Sequence, residues 1–299
     1  MSLDYNLLRT LVALVEERNV TRAARRLGLA QPTVSGALAK LREALGDPLL
    51  VRDGRALAPT SRALALVAEV TPHLDAIEGA IAGTTPFDPA RAQRVFRLGC
   101  TDAVAFALLP ALSGRLREEA PGCDLLLRVG DFRTLPDLIA TGAVSTALAF
   151  LRDDPSATVR IRAVRRAPWV VLRDAASPPI ADLDAFCARP HALVTPSGDL
   201  RGFVDDALSI EGRRRRVALG LTSFALLLAA VPGGDLVATV PDFVAARLAT
   251  LAPLAVDPCP VAVEPVVNSL AWNAVADRDP GERWFRDLVR AIFAAAEPR

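Results

Sequence analysis

The segment 20–45 constrains the fold of this chain more than any other part of the sequence. It predicts a first short helix with Thr21 as its N-cap and Gly28 at its end. After a tight turn, Pro32 suits the first turn of a second helix, because the amide there has no intrahelical partner. Four apolar residues then recur at steps of four, three and four: Val34, Leu38, Leu41 and Leu45. Two short helices with a glycine-containing turn are typical of a helix-turn-helix, here at 20–39.

The other face of the second helix carries small, polar or cationic side chains. Together with Thr21 and Arg22 of the first helix, they are candidate DNA-contacting residues: Gln31, Pro32, Thr33, Ser35, Gly36, Lys40 and Arg42. Such a face suits the major groove, because small residues allow close approach while donors reach base edges and phosphates. An ordinary helical hairpin packed in a core is the alternative interpretation.

Two short strands around the turn Asp53-Gly54 predict a wing that completes a DNA-binding domain of residues 1–60. Arg52 and Arg55 flank this turn and could contact phosphates, which position a protein without reading sequence. For each arginine, a solvated surface position is the alternative. Residues 1–62 hold ten basic and six acidic side chains, a net charge of +4, and the remainder has 25 against 28, or −3. A basic module on an acidic body indicates a DNA-binding domain joined to a sensor.

Thr60 is predicted to cap a long helix that reaches about Ile81, within a linker region of residues 61–90. Apolar residues fall along it at alternating steps of three and four: Val67, Val70, Leu74, Ile77 and Ile81. This spacing is an a/d seam. One small winged domain offers such a seam nothing to bury against, so we expect the same helix of a second copy to cover it.

Residues 91–299 predict an α/β domain of two lobes, the first from about 91–166 and 264–299 and the second from about 167–263. Strands and helices alternate in the first lobe, which predicts a parallel, doubly wound sheet. Further strands are expected at 169–172, 191–195, 216–221 and 236–240, and a helix at 282–296 returns to the first lobe. Two such lobes enclose a cleft, and small ligands bind in this cleft where helix N-termini meet the sheet.

Polar and aromatic residues follow several of these strands and are candidates for an effector pocket. They are Thr101, Asp102, Phe132, Arg133, Phe150, Thr195, Ser197, Arg201, Thr222, Ser223 and Phe224. A few polar groups among aromatic and aliphatic walls describe a small-molecule site. For each residue alone, simple helix capping is the alternative role.

Nothing in the sequence indicates an enzyme, a metal or a cofactor. The chain has two histidines and contains no GxSxG, P-loop, HExxH or GxGxxG stretch. Its four cysteines lie too far apart for a zinc motif or a disulfide framework. Cys100 is expected to be a packed thiol, with a redox sensor as the alternative. Because we find no signal peptide and no membrane-spanning stretch, we expect a cytoplasmic protein without a membrane partner.

The N-terminal region closely resembles the signature of LysR-type transcriptional regulators. The residues that carry the resemblance are Ala23-Ala24, Leu27, Gln31-Pro32-Thr33-Val34-Ser35, Leu38, Leu41, Glu43, Leu45-Gly46, Leu49 and Arg52. Ala30 and Leu50 depart from it, since the family usually has Ser or Thr and Phe there. The first departure removes a side-chain N-cap worth roughly 1 kcal/mol.

This resemblance implies an all-α winged helix-turn-helix, a linker helix that pairs two subunits, and a periplasmic-binding-protein-like (type 2) effector domain. The implied partners are double-stranded DNA, a second copy, a small-molecule effector and RNA polymerase, and two dimers commonly associate through the effector domains. The alternatives are a regulator that acts constitutively without an effector, and an α/β ligand-binding protein or enzyme.

Later segments resemble a subgroup that includes nodulation regulators and responders to aromatic compounds and flavonoids. They are Leu109-Pro110, Val194-Thr195-Pro196 with Arg201-Gly202, 236–241, and Asp279-Pro280 with Arg283-Trp284. Ser145-Thr146 and Asn273 depart from the usual Asp and His, so the identity of the effector cannot be carried over.

Overall fold

A computed structural model of the chain describes residues 4–53, 56–82, 87–151 and 159–295. The chain forms two compact units, with the main boundary at residue 84. Among the described residues, no helix is long and apolar enough to cross a membrane.

The first unit consists of three helices, a two-stranded hairpin and a long fourth helix. In chain order these are α1 Tyr5–Glu17, α2 Val20–Leu27, α3 Gln31–Leu45, β1 Leu50–Asp53, β2 Ala56–Pro59 and α4 Ser61–Ala82. The predicted stripe of α3 faces inward: Val34, Leu38 and Leu41 are buried against Leu11 and Leu14 of α1. β1 and β2 pair antiparallel as the predicted wing.

The helix ends confirm some of the predicted caps and correct one. Asn19, not Thr21, caps α2, because its Oδ1 accepts the Arg22 amide at 3.0 Å. Gly28 ends α2 in the left-handed region with φ of 66°, as predicted. Ala30 precedes α3 without a side-chain cap, as its departure from the family pattern implied. Thr60 Oγ1 accepts the Ala63 amide at 3.1 Å, which confirms the predicted cap of α4.

The apolar seam of α4 is only partly exposed. Val67 packs against the core of the first unit, and Leu74 is 6% exposed within the single chain. The expectation that this seam finds no cover in its own domain is therefore wrong for Val67. Val70 is half-buried and Ile77 is 44% exposed. The side chain of Ile81 lies outside the described part of the chain.

The second unit contains two lobes, each built on a five-stranded sheet. The first-lobe strands are β3 Val95–Cys100, β4 Asp124–Val129, β5 Thr146–Phe150, β6 Val159–Ala167 and β12 Val266–Asn273. The second-lobe strands are β7 Trp169–Asp174, β8 Pro190–Val194, β9 Arg216–Leu221, β10 Val237–Pro241 and β11 Leu254–Pro258. The sheet orders are β4-β3-β5-β12-β6 and β11-β7-β10-β8-β9.

Helices cover these sheets. They are α5 Asp102–Glu119, α6 Leu135–Ala140, α7 Leu183–Ala188, α8 Phe203–Ile210, α9 Leu227–Ala230, α10 Asp242–Ala249 and α11 Pro280–Ala294. Single 3-10 turns lie at Phe224–Leu226 and Ala274–Asp277.

The parallel pairing predicted for the first sheet is confirmed for its three predicted strands, since β3 pairs parallel with β4 and β5. The sheet as a whole is mixed, because β12, which was not predicted as a strand, pairs antiparallel with both β5 and β6. The chain leaves the first lobe after β6 and returns to it along β12, so these two crossing strands add antiparallel pairs. β6 was not predicted, because four arginines in its nine residues conceal the strand pattern.

Apolar contacts join the two lobes on one side. α5 of the first lobe packs against α10 of the second, and Val104 and Leu108 share one buried core with Phe243 and Val244. Arg165 on β6 donates to Asp242 Oδ2 at 2.6 Å, and both side chains are about nine-tenths buried. The two lobes are therefore one packed body along this side.

A buried polar network lies inside the second lobe around His191 on β8. His191 Nε2 lies 2.9 Å from the Phe186 carbonyl oxygen, so the proton sits on Nε2 and is donated there. Arg215 is fully buried, donates twice to Asp205 at 2.9 Å and approaches His191 Nδ1 at 3.4 Å. Burial, and then the Arg215 charge, lower the pKa of His191 to about 4.

We expect His191 to remain neutral in the folded chain down to about pH 4. The unfolded chain takes up this proton near pH 6.5. The stability that His191 contributes is therefore complete above pH 6.5 and falls, by an amount on the order of 3 kcal/mol, as the pH drops towards 4. In a tag-free His73→Gln variant the remaining imidazole signal in an NMR titration belongs to His191. A midpoint near 6.5 in the folded protein would contradict the assignment.

Candidate functional site

The face of α3 opposite the core is exposed, as an interface for DNA requires. Gln31, Thr33, Ser35 and Lys40 are all exposed there. A Cβ at Gly36 would meet no atom within 4 Å, so packing does not demand glycine at this position. The small residue instead leaves the surface of the helix low between its polar neighbours. Pro32 and Thr21 are also exposed, at the starts of α3 and α2.

Two of the predicted DNA-contacting arginines make contacts within the first unit. Arg42 Nε donates to the Pro48 carbonyl at 2.8 Å, and Nη2 donates to the Leu50 carbonyl at 2.9 Å. This side chain therefore ties α3 to the start of the wing. Arg22 pairs with Glu17, with Nε 3.4 Å from Oε2. Arg52 is exposed on β1, and Arg55 lies outside the described residues.

An aromatic series connects the two lobes of the second unit. Phe132 follows β4 and Phe150 ends β5, and their rings meet edge to face at 6.4 Å. Phe150 meets Phe203 of α8 at 6.4 Å, and Phe203 meets Trp169 of β7 at 6.1 Å. Phe203 is 52% exposed. Phe203 and Trp169 were not among the predicted pocket residues, because their contact depends on how the lobes pack and not on position along the chain.

Asp102 of the first lobe accepts hydrogen bonds from residues of the second lobe, so its carboxylate is not free to face the cleft. Its Oδ2 accepts the Phe224 amide at 2.6 Å, and Oδ1 accepts the Ser223 hydroxyl at 3.1 Å. Three predicted pocket residues are thus brought together, but they are engaged with one another. Thr101 is the N-cap of α5, with Oγ1 3.5 Å from the Val104 amide.

The remaining predicted pocket residues form local contacts at the edge of the second lobe. Thr195 Oγ1 accepts the Asp199 amide at 2.8 Å, and the Ser197 hydroxyl donates to the Asp199 carboxylate. Arg201 donates twice to Asp206, at 2.9 and 3.1 Å. An open depression of about 540 Å³ lies beside Arg201 and Gly202. Thr222 is exposed.

Arg133 lies in the first lobe, where its guanidinium is 5.3 Å from the centre of the Phe132 ring.

Cys100 is fully buried at the end of β3. Burial, and then the Asp102 charge, raise the pKa of the Cys100 thiol to about 12. Because the thiolate is the reactive form, this environment favours the packed thiol over the redox alternative. Among the described residues, no group of three or more His, Cys, Asp or Glu is placed to hold a metal ion.

Two family models match this chain and together cover most of it. The model of bacterial regulatory helix-turn-helix proteins of the lysR family matches residues 5–64, and the LysR substrate binding domain matches residues 89–294. The chain belongs to the LysR family of transcriptional regulators. It is a DNA-binding regulator with an effector-binding domain and is not an enzyme.

Individual relatives extend over nearly the whole chain. The transcriptional activator NagR of a Ralstonia species is 31% identical over 98% of both chains. Nodulation protein D 2 of Sinorhizobium fredii is 31% identical over 96% of this chain and 93% of its own. The crystal structure of a probable transcriptional regulator from Pseudomonas aeruginosa, 33% identical, covers 97% of both chains with a TM-score of 0.72. The resemblance to regulators of the nodulation group is therefore confirmed.

The contacts of Arg42 predict that it stabilises the wing. Replacing Arg42 by Gln should weaken the β1–β2 hairpin by about 1 kcal/mol, because two bonds from a charged donor are lost. Backbone amides of the hairpin should then exchange hydrogen roughly fivefold faster, since 1.4 kcal/mol corresponds to tenfold. Lys40→Gln, also exposed on α3, is the matched control and should leave this exchange unchanged. Equal exchange in both variants would show that Arg42 does not hold the wing.

Proposed function

We propose that this regulator binds a dyad-symmetric DNA site as a homodimer, with α3 of each copy in the major groove. The exposed polar face of α3 above its buried apolar stripe carries the proposal. Gln31, Thr33, Ser35 and Lys40 supply the donors for bases and phosphates, and Gly36 allows close approach. Arg52 on β1 contacts a phosphate beside the groove. Half-sites about 34 Å apart follow from this geometry.

Dimerisation through α4 is part of the same proposal. Ile77 is 44% exposed on α4, and Val70, seven residues earlier on the same face, is half-buried. Both can pack against a second copy of the helix, whereas Val67 and Leu74 are covered mainly within the single chain. Association of two dimers through the effector domains, contact with RNA polymerase and a cytoplasmic location complete the proposed function.

We further propose that the effector is a small aromatic compound held between the lobes. The aromatic series from Phe132 through Phe150 and Phe203 to Trp169 carries this part, because its members come from both lobes. Offset and edge-to-face contacts with such rings favour a planar aromatic ligand. An effector regulates only if it binds one arrangement of the lobes more tightly than the other.

Gln31→Ala tests the assignment of α3. We expect at least roughly fivefold weaker binding to the operator upstream of the regulator's own gene, because a base-edge contact is worth about 1–3 kcal/mol. Binding to random DNA should be unchanged, and the salt dependence of operator binding should keep its slope, because no phosphate contact is removed. Fluorescence anisotropy at several salt concentrations measures both quantities. Operator affinity equal to that of the unmodified chain would remove Gln31 from the interface.

Phe203→Ala tests the aromatic site without disturbing a core, because the side chain is 52% exposed. We expect this variant to lose most of its affinity for whichever aromatic acid or phenol a calorimetric screen identifies. Ile210→Ala, on the same helix and 89% exposed, is the matched control and should bind as before. If no aromatic compound binds, or if both variants bind normally, the effector lies elsewhere or the regulator acts constitutively, whereas binding to DNA tests the remainder of the proposed function.

A further inference from the structure

A second cavity lies in the first lobe, between the crossing strands β6 and β12 and the C-terminal helix α11. Its volume is about 220 Å³. We name it the arginine pocket after the residues that line it, which include Arg162, Leu270, Trp272, Arg283, Arg286 and Arg290. None of these residues was predicted to belong to a site.

The charges around the arginine pocket do not balance. Its four arginines face two carboxylates, Asp277 and Asp287. Asp287 pairs with Arg290 at 3.0 Å. Asp277 accepts the Trp272 indole N–H and also lies 3.8 Å from a fifth cation, Arg160. The pocket therefore has an excess of positive charge.

Arg286 carries one of these positive charges and is buried, with only 8% of its side chain exposed. Its two Nη atoms reach a single acceptor, the Ala276 carbonyl, over long distances of 3.3 and 3.4 Å. The nearest oxygen of Asp277 is 4.0 Å away, and Glu282, which also attracts Arg286, is bonded to Arg94 at 2.9 Å. A buried guanidinium with such weak acceptors is costly unless another anion approaches it.

Arg290 provides a second, independent indication. Its Nε is buried and has no acceptor among the described residues, although its Nη2 is bonded to Asp287. Buried polar groups of this kind are rare and normally find a partner. A ligand in the pocket could accept this hydrogen bond.

The pocket is separate from the aromatic site between the lobes. β12 runs antiparallel to β5, with Asn268 opposite Phe150 at the cleft end and Trp272 opposite Thr146 at the other. Asn268 and Trp272 are four residues apart along β12, which corresponds to a distance of about 13 Å.

We propose that the arginine pocket binds a small organic anion, with its carboxylate or phosphate group at Arg162 and Arg286 and its apolar part against Leu270 and Trp272. A cavity of about 220 Å³ suits a small molecule. The Arg286 guanidinium already lies 4.9 Å from the centre of the Trp272 ring, so it is held where an anion at the pocket would meet it.

Phenyl phosphate is the probe, with benzyl alcohol as its uncharged counterpart and inorganic phosphate as the bare anion. We expect calorimetry to detect phenyl phosphate and not benzyl alcohol. Phenyl phosphate should also shift the indole N–H signal of Trp272 in NMR spectra, which a Trp272→Phe variant assigns among the three tryptophans. Inorganic phosphate binding as tightly as phenyl phosphate would show a counter-ion patch and overturn the proposal.

Arg162→Gln should weaken phenyl phosphate binding at least tenfold, and this exposed residue can be replaced without loss of folding. Arg166→Gln is the matched control, since Arg166 lies exposed on the same strand but outside the pocket, and should bind normally. Phe203→Ala should also bind normally, which separates the pocket from the proposed aromatic site. Unchanged affinity in Arg162→Gln, or equal losses in the two arginine variants, would overturn the assignment.

Discussion

The packing of α5 against α10 holds the two lobes of the effector domain together. Val104 and Leu108 share a buried core with Phe243 and Val244, so separating the lobes on this side would expose apolar surface to water. Such exposure costs about 25 cal/mol for each Å². The buried pair of Arg165 and Asp242 also joins the lobes on this side. The lobes are therefore held as a unit, and this keeps the rings of the aromatic series in contact.

Burial of one helix face and exposure of the opposite face also determine the arrangement of the DNA-binding unit. The stripe of α3 is buried in a core that also includes residues of α1 and α2, and this fixes which face of the helix remains for DNA. Arg42, also a predicted DNA contact, has a structural role in addition, since its guanidinium donates to two backbone carbonyls next to the wing. Lys40, two residues earlier and exposed, is the better candidate because α3 does not need it.

Local patterns predicted much of the fold, but pairings between distant segments could not be predicted from them. The spacing of Val34, Leu38 and Leu41 was sufficient to orient α3, because helical periodicity is a local property. The antiparallel place of β12 beside β5 was not predictable, since it depends on where the chain returns after the second lobe. The position of Asp102 at a helix N-terminus was predicted, because it follows from the local sequence. Its bonds to Ser223 and Phe224 were not predicted, because these residues lie more than a hundred positions later in the chain.

Those bonds of Asp102 differ in kind from the apolar packing beside them. They cross between the lobes at the N-terminal end of α5 and join polar groups, so water or another hydrogen-bonding group can replace them at a small net cost. Separating α5 from α10 would instead expose the apolar side chains of the shared core to water. A rearrangement confined to the Asp102 end of α5 therefore requires less free energy than an opening of the two lobes.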